Sequence, residues 1–127
     1  MAIARDTVAA NIKPLEGASI RRGTLGATTA AGEIVELQSD GKWDPAIATS
    51  VIKSGAIAVQ GGADGDVVDL VTFGPVLCLT GATVGAIVYV SDTAGEPSES
   101  AGTKSAVIGY AESATVLFVN FSTVAFS

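Results

Sequence analysis

Histidine is absent from this 127-residue chain, and cysteine occurs once, at Cys78. The first absence removes the commonest general base and zinc ligand; the second excludes thiolate zinc clusters and any intrachain disulfide. Aromatic residues make up only 6% of the chain, too few for helices carrying bulky apolar stripes. Basic residues are also scarce, seven against thirteen acidic, for a net charge of −6. Such a surface repels a phosphate backbone, so nucleic acid is not an expected partner. No stretch approaches the ~18 uninterrupted apolar residues of a membrane-spanning helix, and the opening MAIARDTV sets Arg5 and Asp6 where a signal peptide needs an apolar run. A soluble product with no membrane partner is expected.

What is present is glycine, alanine and valine, within a hydrophobic fraction of 48%. That composition reads as many short strands and tight turns packed into one domain. Gly85–Pro97 (GAIVYVSDTAGEP) is the clearest strand and turn, and Gly32–Trp43 (GEIVELQSDGKW) repeats it, with Gly32, Ile34, Val35 and Leu37 falling on Gly85, Ile87, Val88 and Val90. Val35 and Leu37, apolar in both copies, are the predicted core face of the first strand. After each copy the order recurs. Ala56–Gln60 and Val67–Phe73, joined by the turn GGADGD, are matched by Ala106–Ala111 and Thr115–Phe121, while PVLCLT links the halves. A unit too small to close a core alone gains one by pairing with its copy.

The predicted fold is all-β, a compact barrel or sandwich of two similar units spanning about 32–73 and 85–121. It lies within a single domain of residues 18–127, preceded by an extended N-terminal arm over 1–17. Ala2, Ile3, Val8 and Ile12 are the arm's candidate anchors. Ala18–Arg22 is a short strand ending in the only adjacent basic pair, Arg21 and Arg22. Pro45–Ser54 reads either as a helical turn or as a loop crossing the barrel. Trp43, the sole tryptophan, suits the core, with a partner contact as the alternative. The last strand is apolar on both faces, Leu117, Val119 and Phe121 on one and Val116 and Phe118 on the other, so it must be covered twice.

No catalytic, cofactor or metal constellation emerges. Asp64, Asp66 and Asp69 lack the spacing of an EF-hand; Glu96 and Glu99 sit in a Ser/Gly/Pro loop; AGTKS at 101–105 lacks the first glycine of a phosphate loop. A binding or structural protein is expected rather than an enzyme.

From Ser54 to Phe121 the chain resembles the small capsid decoration, or cement, proteins of tailed bacteriophages. The likeness rests on an apolar strand (GAIAV), a Gly-Asp turn before a valine-rich strand (GDVVDLV), TVGAIVYVSDTAG, and a late strand containing Ile108-Gly109. Two departures are Gly85-Ala86 where that pattern has Gly-Asp, and Gly55 preceding the apolar strand instead of lying within it. The resemblance implies a β-rich virion protein made in the host cytoplasm. It would bind the outside of an assembled head, commonly as a homotrimer, and hold neighbouring major capsid subunits together. On that reading Ile3, Arg5, Val8, Ile12, Arg21 and Arg22 are the expected capsid contacts, and Trp43, Tyr89, Val116 and Phe118 the expected contacts between copies. The alternative is a β-rich fibre or adhesion module binding host glycans, for which Trp43, Tyr89 and Tyr110 are the available aromatic platform.

Overall fold

The computed structural model describes residues 3–121, so the anchor expected of Ala2 lies outside the described residues. The strands in chain order are β1 (Ala4–Arg5), β2 (Lys13–Pro14), β3 (Ser19–Thr24), β4 (Ile34–Leu37), β5 (Trp43–Pro45), β6 (Gly55–Ala58), β7 (Val67–Leu77), β8 (Leu79–Thr80), β9 (Ile87–Val90), β10 (Pro97–Ser98), β11 (Val107–Ala111) and β12 (Val116–Val119), with one short 3-10 turn at Ala9–Asn11. The architecture is all-β, an antiparallel sheet curled into a half-barrel. Its path, β10-β9-β11-β12-β7-β6-β4-β5, has the same connectivity from both ends. Each repeat supplies four neighbouring strands, and β12 and β7 join them.

β7 is where the halves meet, and it is longer than the valine run suggests. Its first part pairs with β6 and β3, and its second part, through Pro75 to Leu77, pairs with β12 and β2. PVLCLT is therefore not a linker; most of it is strand. Gly74 makes the passage, at φ 102, and a Cβ there would press on the backbone of Gly17 and Ala18. A left-handed residue with no side chain lets one strand turn from one half to the other.

Between the halves lies one shared core, in which Ile34, Ile57 and Val71 of the first meet Val88, Val90, Ile108, Leu117 and Val119 of the second. A smaller cluster, Leu25, Val35, Trp43, Ala56, Ala58, Val68 and Leu70, covers the opposite face of the first half. Two covered faces correct the predicted inside of β4. Ile34 faces the shared core, Val35 the smaller cluster, and Leu37 is exposed, whereas Val88 and Val90 both face the shared core. Aligning the repeats by apolar identity puts Val35 on Val88, but a one-residue slip in a strand exchanges its faces.

Of Pro45–Ser54, Pro45 ends β5 and the rest resolves as the crossing loop. The Ala48 amide donates to the Ser91 carbonyl and the Lys104 amide to the Ala48 carbonyl, lacing the first half to the second. The arm also folds back on its own domain. β1 pairs with β8, Arg5 Nε donates to Glu96 Oε2 at 2.8 Å, and Ile12 is 6% exposed within the shared core. A truncation through Leu15 thus removes a core side chain as well as an arm.

Glu36 is the main polar intrusion. It is 9% exposed, accepts from the Ile47 amide at 3.2 Å, and lies across the β4–β5 pair from Asp44, whose buried Oδ1 has no hydrogen-bond partner among the described residues. Burial pushes its carboxyl above the ordinary 4.5, and the Asp44 charge adds to that while the Ile47 amide opposes it. A folded-state pKa above the unfolded one means the side chain stabilises most below about 4.5 and loses that contribution as pH rises through the folded value. Glu36→Gln is expected to raise the melting temperature at pH 7, with the gain vanishing below that limit. Thermal melts across pH check this, and a loss at pH 7 that disappears on acidification would show instead that the charge itself is stabilising.

Candidate interaction surface

Among the described residues, the second half has no counterpart of the smaller cluster on its outer face. Register places Ile87, Tyr110, Phe118 and Pro75 side by side across β9, β11, β12 and β7. Tyr110 and Phe118 stack with ring centroids 5.2 Å apart and planes 15° apart; Phe73 meets Phe118 edge-on at 5.2 Å and 83°. Ile87, Phe73 and Tyr110 remain 51%, 47% and 40% exposed. Phe118 with a ring on either side, on an open sheet face continued by half-buried Val116 and Leu77, forms an apolar patch of the kind that marks an interaction site.

The contrast between the halves has a sequence origin. In the first, Ala56 and Ala58 leave room on the outer face for Trp43 and Leu25 to fold over it. The corresponding face of the second carries bulky side chains with nothing of the chain's own seated on them among the described residues.

Of the residues expected to meet partners, Phe118, Val116 and Tyr89 do lie on this outer face, Phe118 at its centre. Trp43 does not: at 4% exposure it belongs to the smaller cluster, so the partner contact proposed for it is corrected to a core role. Ile12 is corrected likewise, since its side chain is spent in the shared core. Arg5 is held by Glu96 and by the Ala31 carbonyl, Ile3 packs against the shared core, and Val8 is exposed. Arg21 and Arg22 stand exposed on β3 and close no ion pair among the described residues, where the two pairs are Arg5–Glu96 and Lys42–Asp64. Phe73 and Ile87 were not singled out by sequence; the signal was Phe73 at the end of a buried run, two residues from the proline at which β7 changes partners.

Of the carboxylates that invited chemical readings, Asp64, Asp66, Glu96 and Glu99 have structural partners. Asp64 pairs with Lys42 at 3.2 Å, Asp66 accepts the Ala63 amide of its own turn, and Asp92 takes both the amide and hydroxyl of Thr103 within AGTKS. Glu99 holds Thr83 in the same way. Cys78 is buried, which raises its thiol to about 12 and leaves it unreactive. No helix among the described residues is long and apolar enough to cross a membrane.

No protein-family model matches the chain, and no curated protein matches it.

Proposed function

We propose that this protein is a capsid decoration protein, which binds the outer surface of an assembled phage head and stabilises contacts between major capsid subunits. The observation that carries the reading is the outer face of the second half, where Phe118, Tyr110 and Phe73 form an uncovered aromatic patch on an otherwise acidic β domain. Copies associate there as a homotrimer, with Val116 and Tyr89 on the margin. The capsid is met through Arg21 and Arg22 on β3 and the exposed part of the arm around Val8. Such a protein needs no turnover. Many weak contacts made at once by linked copies resist the loosening of a shell that any single contact would permit.

The glycan-binding alternative draws less support. Trp43 is buried, and the ring of Tyr110 is flanked by Phe118 and Ile87 instead of the polar side chains that orient a sugar. The direct test adds the purified protein to capsids assembled without it and follows co-sedimentation. Saturable binding at a fixed ratio to the major capsid subunit is expected; no binding at micromolar concentration contradicts the proposal.

A further inference from the structure

A cleft of about 270 Å3 is lined by Arg21, Leu37, Trp43, Ser54, Thr72 and Phe121. Its chemistry is mixed in a specific way. Arg21 brings a guanidinium with no ion-pair partner among the described residues, Ser54 and Thr72 bring hydroxyls, and Leu37, at 42% exposure, with Trp43 and Phe121 makes apolar walls. The volume falls short of the roughly 300–1,000 Å3 of sites that enclose a small molecule. It suits one or two side chains protruding from a larger partner.

We propose that this cleft docks an acidic peptide segment of a protein partner, with one carboxylate on Arg21 and a neighbouring apolar side chain against Leu37 and Phe121. Charge complementarity selects the occupant. On a chain of net charge −6, a carboxylate is repelled from most of the surface, while a guanidinium with no ion-pair partner among the described residues offers it a planar fork of donors. The apolar walls exclude water around that pair, which strengthens it relative to one on open surface. The hydroxyl of Ser54 adds a donor for the second carboxylate oxygen, while that of Thr72 donates to the Ser19 carbonyl at 3.5 Å. The inference deepens the capsid reading and rests on it only for naming the major capsid protein as the source of the segment.

Trp43 is the sole tryptophan and forms part of the cleft, so its emission reports occupancy. The probes are three pools of acetylated hexapeptide amides with randomised apolar flanks, identical except for a central Asp, Asn or Lys. The Asp pool is expected to shift Trp43 emission and to bind at least ~10-fold more tightly than the Asn pool. Arg21→Gln and raised salt should each abolish that preference. Arg22→Gln should retain it, because neighbouring strand residues point to opposite faces. Equal binding of the pools, or an Asp preference that survives Arg21→Gln, overturns the proposal. Loss of self-association in Arg21→Gln would assign the cleft to a second copy and overturn it too. A chain that prefers the Asp pool through Arg21 yet never adds to capsids keeps the cleft and defeats the capsid reading. One that adds to capsids without any pool preference does the reverse.

Discussion

Replacing Gly109 with alanine is expected to destabilise the protein by about 3 kcal/mol, the upper range for forcing extra volume into a packed interior. Gly109 is buried in β11, where the pairing with β9 shifts register between Val107 and Gly109. A Cβ at this position would land on the carbonyl oxygen of Phe118 in the neighbouring β12. Backbone cannot move aside as a flexible side chain can, so the β11–β12 pair would have to part. The strands on either side carry Ile108 and Leu117 of the shared core and Tyr110 and Phe118 of the outer face. Chemical denaturation of Gly109→Ala against the parent measures the loss. An unchanged midpoint would mean that β11 and β12 are not in the described register.

Phe118→Asp is expected to weaken self-association by at least ~30-fold, as for the central residue of an interface worth about 2 kcal/mol or more. The substitution removes the ring on which Tyr110 stacks and against which Phe73 rests, and it sets a charge in the middle of the patch. Because Phe118 is half-buried, some loss of folding stability will accompany it. Ile87→Asp separates the two effects: Ile87 is 51% exposed at the edge of the same row, so it should weaken association with little change in the melt. Light scattering over a concentration series reads both variants. Parental mass for the two would place the interface between copies on another face.

Much of the fold was legible because its signals are local. Glycine turns separate valine-rich runs, and the GGADGD hairpin and the two copies of the strand-turn unit appear where the sequence puts them. A further cue lay unread. LGAT at Leu25–Thr28 and LTGAT at Leu79–Thr83 precede β4 and β9, so the repeat begins earlier than Gly32 and Gly85. What was not legible depends on non-local pairing. Pro75 after Gly74 reads as a break, yet it lies within β7 because β2 and β12 flank it there. The inside of β4 was hidden for a related reason: both of its faces are buried, one by a tryptophan whose position local alternation does not reveal.

The interaction surface was half legible. A last strand apolar on both faces announced that Phe118 needs cover, and its ring does lie outside the shared core. Tyr110 joins it through the local β11–β12 pairing, but that Phe73 does so depends on the β12–β7 register, which links segments far apart in the chain. Ile12 misled in the opposite direction. In an irregular arm it looked like an anchor for a partner, but the arm lies along its own domain, and Gly32 leaves the space into which Ile12 packs.

The most direct measurement of capsid stabilisation compares heads assembled without this protein, before and after it is added back, for survival on heating and at low salt. Decorated heads are expected to retain their contents and shape at temperatures where bare heads burst, with protection lost when Phe118→Asp replaces the parent. Equal survival of decorated and bare heads, with the protein demonstrably bound, would contradict the stabilising role.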